Sequence, residues 1–224
     1  MPDFAVILPA AGSSTRFGGQ RSKLLEELGG KAVVLHSLEA FHRRADVKRI
    51  IVAAGGGIAG HLPAWPQLTV CEGGTCRAGS VRNALQHVPK DIEWVAVHDA
   101  ARPLVSGELI DRTLAAAVAH GAAAPAVGMV QTIRRAQGPL PGASGGVVPR
   151  DGLWAMQTPQ IMRRAALADA FERCPIPLDQ VTDDVQLLEL AGQRVWLVAG
   201  EESNIKITTP GDMAVAGAFW DSTQ

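Results

Sequence analysis

The feature that most constrains the fold is the N-terminal segment, in which a short apolar run leads into a small, basic loop. Residues 4–8 (Phe-Ala-Val-Ile-Leu) are too few for a helix and are typical of a buried strand, which Pro9 ends because proline cannot donate to a sheet ladder. The loop over 9–23 is rich in alanine, glycine and serine, so backbone N–H groups can approach a ligand closely. It also carries three cations, namely Arg16, Arg21 and Lys23. This combination indicates a phosphate-binding loop at the carboxyl end of a first strand.

Two well-known phosphate-binding motifs do not match this loop. A P-loop requires G-x-x-x-x-G-K-[ST], but after four intervening residues Gly12 is followed by Phe17. A dinucleotide fingerprint requires G-x-G-x-x-G, and Gly12 is followed by Ser13 and Ser14. An ordinary strand-to-helix loop with solvated cations remains an alternative interpretation.

Composition excludes several classes of protein. Hydrophobic residues make up 47% of the 224 residues and charged residues 19%, which supplies a core and argues against disorder. This length predicts a single domain over 1–224. The net charge of −1 gives no general basic field for nucleic acid, so none is expected as a partner and any anion site must be local.

Cysteine usage and hydropathy favour a cytoplasmic protein. The three cysteines are odd in number and match no zinc-site spacing, which indicates reduced thiols. The N-terminus lacks a signal-peptide pattern, and no run approaches 18 apolar residues, so we expect no membrane association.

Strand-like and helix-like segments alternate along the chain. Strands are predicted at 4–8, 49–54, 67–71, 94–98, 122–127, 194–198 and 204–208, and helices at 23–28, 33–44, 81–88, 109–120, 163–173, 183–191 and from Pro210. Such alternation predicts an α/β fold with a mostly parallel sheet and helices on both faces. Because parallel strands end at one edge, the segments 9–23, 73–80 and 99–103 are expected to share one site.

The alternation is interrupted from about 131 to 157. Two short extended runs there flank a stretch rich in glycine, proline and serine, which is too long and too polar for a connection inside a compact domain. We interpret this segment as a projecting β-hairpin arm, and an arm of this kind usually packs against a partner.

Charged residues near the predicted strand ends suit transfer at phosphorus. The cations are Arg16, Lys23, Arg102, Arg150 and Lys206, and the carboxylate among them is Asp99. Positioning and charge stabilisation dominate such reactions, and Asp99 would hold a Mg²⁺ ion bound mainly by phosphate oxygens. Alternatively, Asp99 caps a turn and the cations are solvated. Residues 182–186 also have two interpretations. They predict either a helix start, in which Asp183 and Gln186 form a reciprocal cap, or a contact with a ligand.

Five motifs occur in an order that is familiar from one family. They are Pro9-Ala10-Ala11-Gly12 with Arg16 and Lys23, Val97-His98-Asp99-Ala100-Ala101-Arg102-Pro103, Gln157-Thr158-Pro159-Gln160, Thr182-Asp183-Asp184, and Asn204-Ile205-Lys206-Ile207-Thr208. Through them nearly the whole chain resembles the 2-C-methyl-D-erythritol 4-phosphate cytidylyltransferase family of the non-mevalonate isoprenoid route.

The resemblance implies a Rossmann-like twisted sheet of the nucleotide-diphospho-sugar transferase type and a homodimer joined through the β-arm. It implies that CTP and methylerythritol phosphate react with Mg²⁺ to give CDP-methylerythritol and pyrophosphate. The catalytic residues would be Arg16, Lys23, Asp99, Arg102, Arg150 and Lys206. The substrate-binding residues would be Ala10, Ala11, Gly12, Gly74, Ser80, Ala100, Thr132, Thr158 and Thr182, with Thr132 and Arg150 reaching from the arm into the neighbouring subunit.

Three departures from the family pattern bear on substrate choice. Thr75 stands where aspartate is usual, Ser22 where proline is usual, and Gln131 where the arm usually has an acid. Three alternatives therefore stay open: a pentitol-phosphate cytidylyltransferase acting on ribitol 5-phosphate, a UTP-using sugar nucleotidyltransferase, and a nucleotide-binding regulatory module without turnover.

Overall fold

The computed structural model describes residues 1–12, 17, 22–55 and 57–222. Its strands are β1 (Phe4–Ala10), β2 (Glu27–Leu28), β3 (Lys31–Ala32), β4 (Val47–Ala54), β5 (Leu68–Glu72), β6 (Trp94–Val97), β7 (Ala122–Gly128), β8 (Ile133–Ala136), β9 (Ser144–Val148), β10 (Trp154–Met156), β11 (Gln160–Arg163) and β12 (Trp196–Ala199). Its α-helices are α1 (Val33–His42), α2 (Arg77–Leu85), α3 (Gly107–His120), α4 (Arg164–Glu172), α5 (Asp184–Leu190) and α6 (Pro210–Asp221).

Eight strands form the central sheet in the order β10-β7-β11-β6-β1-β4-β5, and β12 also pairs with β7. The pairs β1–β4, β1–β6, β4–β5 and β7–β12 are parallel, whereas β10 and β11 run antiparallel to their neighbours. The predicted α/β class with a mostly parallel sheet is therefore confirmed.

Strand β1 lies in the middle of the sheet and is buried on both faces. Phe4, Val6 and Leu8 pack in a core with α1 and α3, while Ala5 and Ile7 point to the opposite core with α2, α4 and α5. Each large aliphatic or aromatic side chain buried in this way contributes roughly 1.5–3 kcal/mol. The two cores thus fix the position of the loop that follows β1.

Strands β10 and β11 are not indicated by the hydrophobic pattern. β11 has only two apolar residues, Ile161 and Met162, and it lies between β6 and β7 although it follows both in sequence. Four residues with polar ends are too short for a periodic signal, and the neighbouring strands determine the pairing.

Three other predictions are wrong. β1 does not end at Pro9 but continues to Ala10 in register with β4, because β6 pairs only as far as Ile7 and Pro9 needs no N–H donor on that side. The helix predicted over 23–28 is a single 3-10 turn, Lys23–Leu25, followed by the β2–β3 hairpin, because Gly29 and Gly30 adopt positive φ angles of 55° and 77° that suit a two-residue hairpin turn. The strand predicted over 204–208 is irregular chain, held by the Ile207 N–H donating to the Ala101 carbonyl at 2.9 Å.

Side-chain caps mark the starts of α2 and α6. Helix α2 begins at Arg77, four residues before the predicted start at 81, because the Cys76 sulfur accepts the Gly79 N–H. The predicted cap of α6 is confirmed: Thr209 and Asp212 form a reciprocal capping box, with proline at the first helical position.

Strands β8 and β9 form a separate two-stranded sheet within the predicted arm. Strand β10, at the end of the 131–157 range, pairs with β7 in the central sheet. The organisation of 1–224 as one domain with an arm stays a prediction. In the described part of the chain, no helix combines the length and the apolar character needed to cross a membrane.

Candidate active site

A cleft of about 460 Å³ opens at the carboxyl edge of the sheet. Residues from all three segments predicted to share a site line it, and the 206–208 segment joins them. The lining includes Pro9, Ala10, Ala11, Gly12, Lys23, Leu24, Gly74, Thr75, Cys76, Arg77, Ser80, Asp99, Ala100, Ala101, Lys206 and Thr208. The topology thus brings the predicted phosphate loop and the Asp99 segment together.

Two glycines allow close approaches by the loop after β5, Gly73 to the loop after β1 and Gly74 to the first turn of α2. A Cβ atom at Gly73 would lie 2.1 Å from the Ala11 Cβ, and one at Gly74 would lie 2.7 Å from the Ser80 nitrogen. The Gly74 N–H donates to Ser80 Oγ at 2.9 Å, and this hydroxyl donates to the Cys76 carbonyl at 3.0 Å. Ser80 therefore holds the loop that lines the cleft.

Lys23 is anchored at the cleft by the turn that carries it. The Ser22 hydroxyl caps this turn, and Leu24 and Leu25 are buried in the core beneath it. Lys23 Nζ donates to the Ile207 carbonyl at 2.6 Å, which places the ammonium beside the 206–208 segment. The other two cations predicted in this loop, Arg16 and Arg21, lie outside the described residues.

Asp99 is the centre of a buried charge cluster. Its Oδ1 lies 3.1 Å from Arg77 Nε, and its Oδ2 lies 2.8 Å from Lys206 Nζ and 3.8 Å from Arg102 Nε. Burial raises the pKa of the Asp99 carboxyl, but these cations outweigh burial and hold that pKa well below its usual range. Asp99 is therefore ionised at neutral pH, and its side chain forms ion pairs.

A directed hydrogen-bond chain holds the turn after β6. The Asp99 N–H donates to Thr158 Oγ1 at 3.0 Å, so the Thr158 hydroxyl proton is available for His98 Nδ1 at 3.1 Å. His98 Nε2 then donates to the Arg102 carbonyl at 3.1 Å. This chain fixes the neutral Nε2–H tautomer of His98 and commits the Thr158 hydroxyl, predicted to contact the sugar phosphate, to internal bonds.

Arg102 is buried beneath the cleft and is not among its lining residues. It donates to the carbonyls of Asn204 at 2.6 Å and Met156 at 3.2 Å, and burial lowers its pKa. The Asn204 amide donates in turn to the Thr158 carbonyl at 2.9 Å. Arg102 and Asn204 thus join the 204–208 segment to the segment that precedes β11.

Besides Arg102 and Thr158, three predicted site residues lie away from the cleft lining. Thr132 and Arg150 are exposed beside the β8–β9 hairpin, where Arg150 Nη1 donates to the Val130 carbonyl. Thr182 is exposed and donates to Gln186 Oε1 at 3.1 Å.

The predicted N-cap of α5 is confirmed, but the predicted return bond of the reciprocal cap is not. Asp183 accepts the Gln186 N–H at 2.9 Å, as expected of an N-cap. The Gln186 side chain, however, accepts the N–H of Thr182 at 2.7 Å instead of that of Asp183.

The most prominent cleft residue that the sequence interpretation missed is Arg77. It pairs with both Asp99 and Asp184. The sequence gives little indication of this role. Arg77 directly follows a glycine-rich segment, and the helix predicted from 81 leaves Arg77 in the preceding loop. Asn204 belongs to one of the five motifs, but the strand predicted over 204–208 indicated no hydrogen-bond partner for its side chain and therefore no role.

Asp99 is the only carboxylate among the described residues that line the cleft, and the described residues contain no group of three metal-binding side chains. One ionised carboxylate fits Mg²⁺, which usually takes one or two carboxylates and fills its other positions with phosphate oxygens and water. The described donor set therefore fits a metal that arrives with a phosphate ligand.

His98 predicts a pH dependence of stability. Burial lowers the pKa of His98 from 6.5 to about 4. The unfolded chain therefore binds a proton near pH 6.5, whereas the folded protein binds it only near pH 4. We expect the free energy of unfolding to fall by about 3 kcal/mol from this group as pH drops through that window. Urea unfolding of wild type and His98→Gln at pH 7 and pH 5 measures the part of this loss that falls above pH 5, which is about 2 kcal/mol. Equal pH dependence in the two proteins would contradict it.

The sequence of this chain is similar to those of known proteins of one family. Residues 4–222 match the family described as "IspD: 2-C-methyl-D-erythritol 4-phosphate cytidylyltransferase". A protein of that name from Dechloromonas aromatica is 36% identical over 96% of this chain and 96% of its own length. A bifunctional IspD/IspF enzyme from Desulfotalea psychrophila is 38% identical over 98% of this chain, which spans 57% of that enzyme.

Solved structures give the same result. The cytidylyltransferase structure from Thermus thermophilus superposes with a TM-score of 0.81 and 34% identity, over 98% of both chains. The Francisella tularensis IspD structure gives 0.84 and 31%, over 96% of this chain and 99% of that one. The chain belongs to the 2-C-methyl-D-erythritol 4-phosphate cytidylyltransferase family.

Proposed function

We propose that this protein transfers CMP from CTP to 2-C-methyl-D-erythritol 4-phosphate, releasing pyrophosphate and forming 4-diphosphocytidyl-2-C-methyl-D-erythritol for non-mevalonate isoprenoid synthesis. The observation that carries the proposal is the cleft in which Lys23 and the Asp99 cluster face a glycine-lined loop, in a chain of this family. Anchored cations beside such a loop suit a triphosphate.

In the reaction, an oxygen of the acceptor phosphate forms a bond to the α-phosphorus of CTP while the bond to the pyrophosphate oxygen breaks. The attacking oxygen is already anionic, so no general base is needed. Negative charge builds on the α-phosphate and the leaving pyrophosphate. Of the lining cations, Lys23 and Lys206 would stabilise this charge, while Arg77 is paired with Asp99 and Asp184. Arg16 is proposed to act with these lysines.

We assign the nucleotide to the β1 and β5 loops and the acceptor to the Asp99 side of the cleft. The nucleotide-binding residues are Ala10, Ala11, Gly12, Gly74 and Ser80. Ala100 and Lys206 line the acceptor side, and Arg102 and Thr158 act from beneath it by holding the Asp99 turn. Asp99 would contribute a ligand to Mg²⁺, which supplies charge neutralisation to the phosphates when bound.

We propose a homodimer in which the β8–β9 hairpin of one subunit completes the cleft of the other. Apolar side chains are exposed on and next to this hairpin, namely Val130, Leu140, Val147, Leu153 and Trp154. Exposed apolar side chains grouped in this way are typical of an interaction surface. Thr132 and Arg150, which do not line the cleft of their own subunit, would then contact the partner's acceptor.

Mixing two inactive variants tests this shared site. Lys23→Met disables the cleft and Arg150→Ala disables the arm, so a mixed dimer contains one site free of both substitutions. We expect each variant alone to be nearly inactive and the refolded mixture to recover up to about a quarter of wild-type turnover, since half the dimers are mixed and each has one intact site of two. No recovery in mixed dimers verified by mass spectrometry would contradict the shared site.

Pyrophosphate release with CTP and Mg²⁺ tests the activity itself. We expect turnover with methylerythritol 4-phosphate and little with ribitol 5-phosphate, and UTP in place of CTP serves as the nucleotide control. Turnover only with ribitol 5-phosphate would move the protein to pentitol-phosphate metabolism. CTP binding without turnover on either acceptor would favour a regulatory module.

A further inference from the structure

Arg77 joins two aspartates that come from different parts of the chain. It is the first residue of α2, and its Nε lies 3.1 Å from Asp99 Oδ1, at the end of β6. Its Nη1 lies 2.9 Å from Asp184 Oδ2, at the first residue of α5. One guanidinium therefore connects the cleft carboxylate to the first residue of α5.

Asp184 is a buried charge for which Arg77 is the cation within reach. Its side chain is 1% exposed, and among the described residues its Oδ2 has no aligned hydrogen bond, only the ion pair with Arg77. The Asp184 N–H is held by Gln160 Oε1 at 2.9 Å, so its backbone is fixed to the start of β11. Asp184 is thus a rigid anchor for the guanidinium.

The anchored guanidinium selects the orientation of the Asp99 carboxylate. Arg77 holds Oδ1, which leaves Oδ2 directed towards Lys206 at 2.8 Å. Arginine suits this position because its planar fork reaches two carboxylates at once, whereas a lysine ammonium is a single point charge.

We infer that Arg77 is a positioning residue for the transfer reaction: held by Asp184, it fixes the Asp99 carboxylate in the orientation that the cleft uses. This inference rests on the proposed function. Partners that orient a ligand residue in this way typically change activity by about 10- to 100-fold when they are removed.

The experiment separates positioning from stability by comparing Arg77→Met with a double variant. Arg77→Met leaves the buried Asp184 carboxyl, whose pKa burial already raises, without its cation, so the melting temperature should fall together with kcat. Asp184→Asn in the same chain removes that orphaned carboxyl. The double variant should therefore regain most of the melting temperature while its kcat stays about 10- to 100-fold below wild type, with a smaller change in KM for CTP.

Arg82→Met is the matched control, because Arg82 is exposed on the same helix. It should leave both the melting temperature and kcat near wild type. A double variant that recovers kcat along with its melting temperature would overturn the inference and leave Arg77 a structural role only. Arg77→Lys should be intermediate in melting temperature but should not restore kcat, and full restoration would likewise overturn it.

Calorimetric titration with CTP and Mg²⁺ keeps this result distinct from failure of the proposed function. If wild type binds CTP but turns over neither acceptor, the proposed function fails. The positioning role is then judged by binding alone, and the double variant should bind CTP with Mg²⁺ more weakly than Arg82→Met. Equal affinity would overturn the inference in that case too.

Discussion

Replacing Lys23 with methionine is expected to lower kcat by about 10²- to 10³-fold while the protein stays folded. Lys23 lines the cleft, and its ammonium is held 2.6 Å from the Ile207 carbonyl by a turn whose leucines are buried. A cation fixed before the substrate arrives needs no reorganisation as charge builds on the phosphates. Methionine keeps the length and the packing of the stem but removes the charge, so the measured loss reports on electrostatics. Steady-state pyrophosphate release at saturating CTP measures it.

The matched control for Lys23 is Lys90→Met, at an exposed position in the loop before β6. It should leave kcat unchanged. If Lys23→Met lost less than about tenfold while retaining its melting temperature, the role of Lys23 as a preorganised charge stabiliser would be wrong.

Replacing Asp99 with asparagine is expected to abolish most turnover and also to destabilise the fold by about 3 kcal/mol. The substitution removes the anion that Arg77, Lys206 and Arg102 share, and three neighbouring cations then repel each other near the base of the cleft. Urea unfolding at pH 7 measures the stability change, and pyrophosphate release measures the activity.

The pH dependence of this difference follows from the lowered pKa of Asp99. A carboxylate with a depressed folded-state pKa contributes stability above the unfolded value of about 3.9, and this contribution is lost as pH falls towards the folded value. The gap between wild type and Asp99→Asn should therefore be constant from pH 7 to about 5 and shrink below about 3.9. Asp169→Asn, which loses an exposed ion pair with Arg173, should show little change at any pH. A constant gap at acid pH would contradict the assigned ion pairs.

The sequence was informative where local patterns determine structure. The apolar runs of β1, β4 and β6 are buried on both faces, so their composition indicated strands without knowledge of the neighbours. The rule that parallel strands end at one edge then brought Lys23, Gly74 and Asp99 together, as the structure has them.

What could not be predicted depends on contacts between distant residues. β11 is a strand because β6 and β7 leave a gap between them. The 204–208 segment is irregular because side chains and the backbone bond from Ile207 to Ala101, rather than a ladder, hold it. The roles of Thr158 and Arg77 likewise follow from partners far away along the chain, namely Asp99 and Asp184. A linear pattern contains no signal for such pairs.

The placement of β11 has a consequence for the order in which the protein can assemble. β6 and β7 follow each other in sequence but are separated in the sheet by a strand that is synthesised only after the β8–β9 hairpin. The half-sheet around β1 and the half-sheet around β7 therefore join only when residues 160–163 enter between them. The residue two positions before β11 is Thr158, which accepts the Asp99 N–H. The same segment thus closes the sheet and completes the Asp99 turn. A chain in which residues 158–163 are not yet in place has neither a continuous sheet nor a complete cleft.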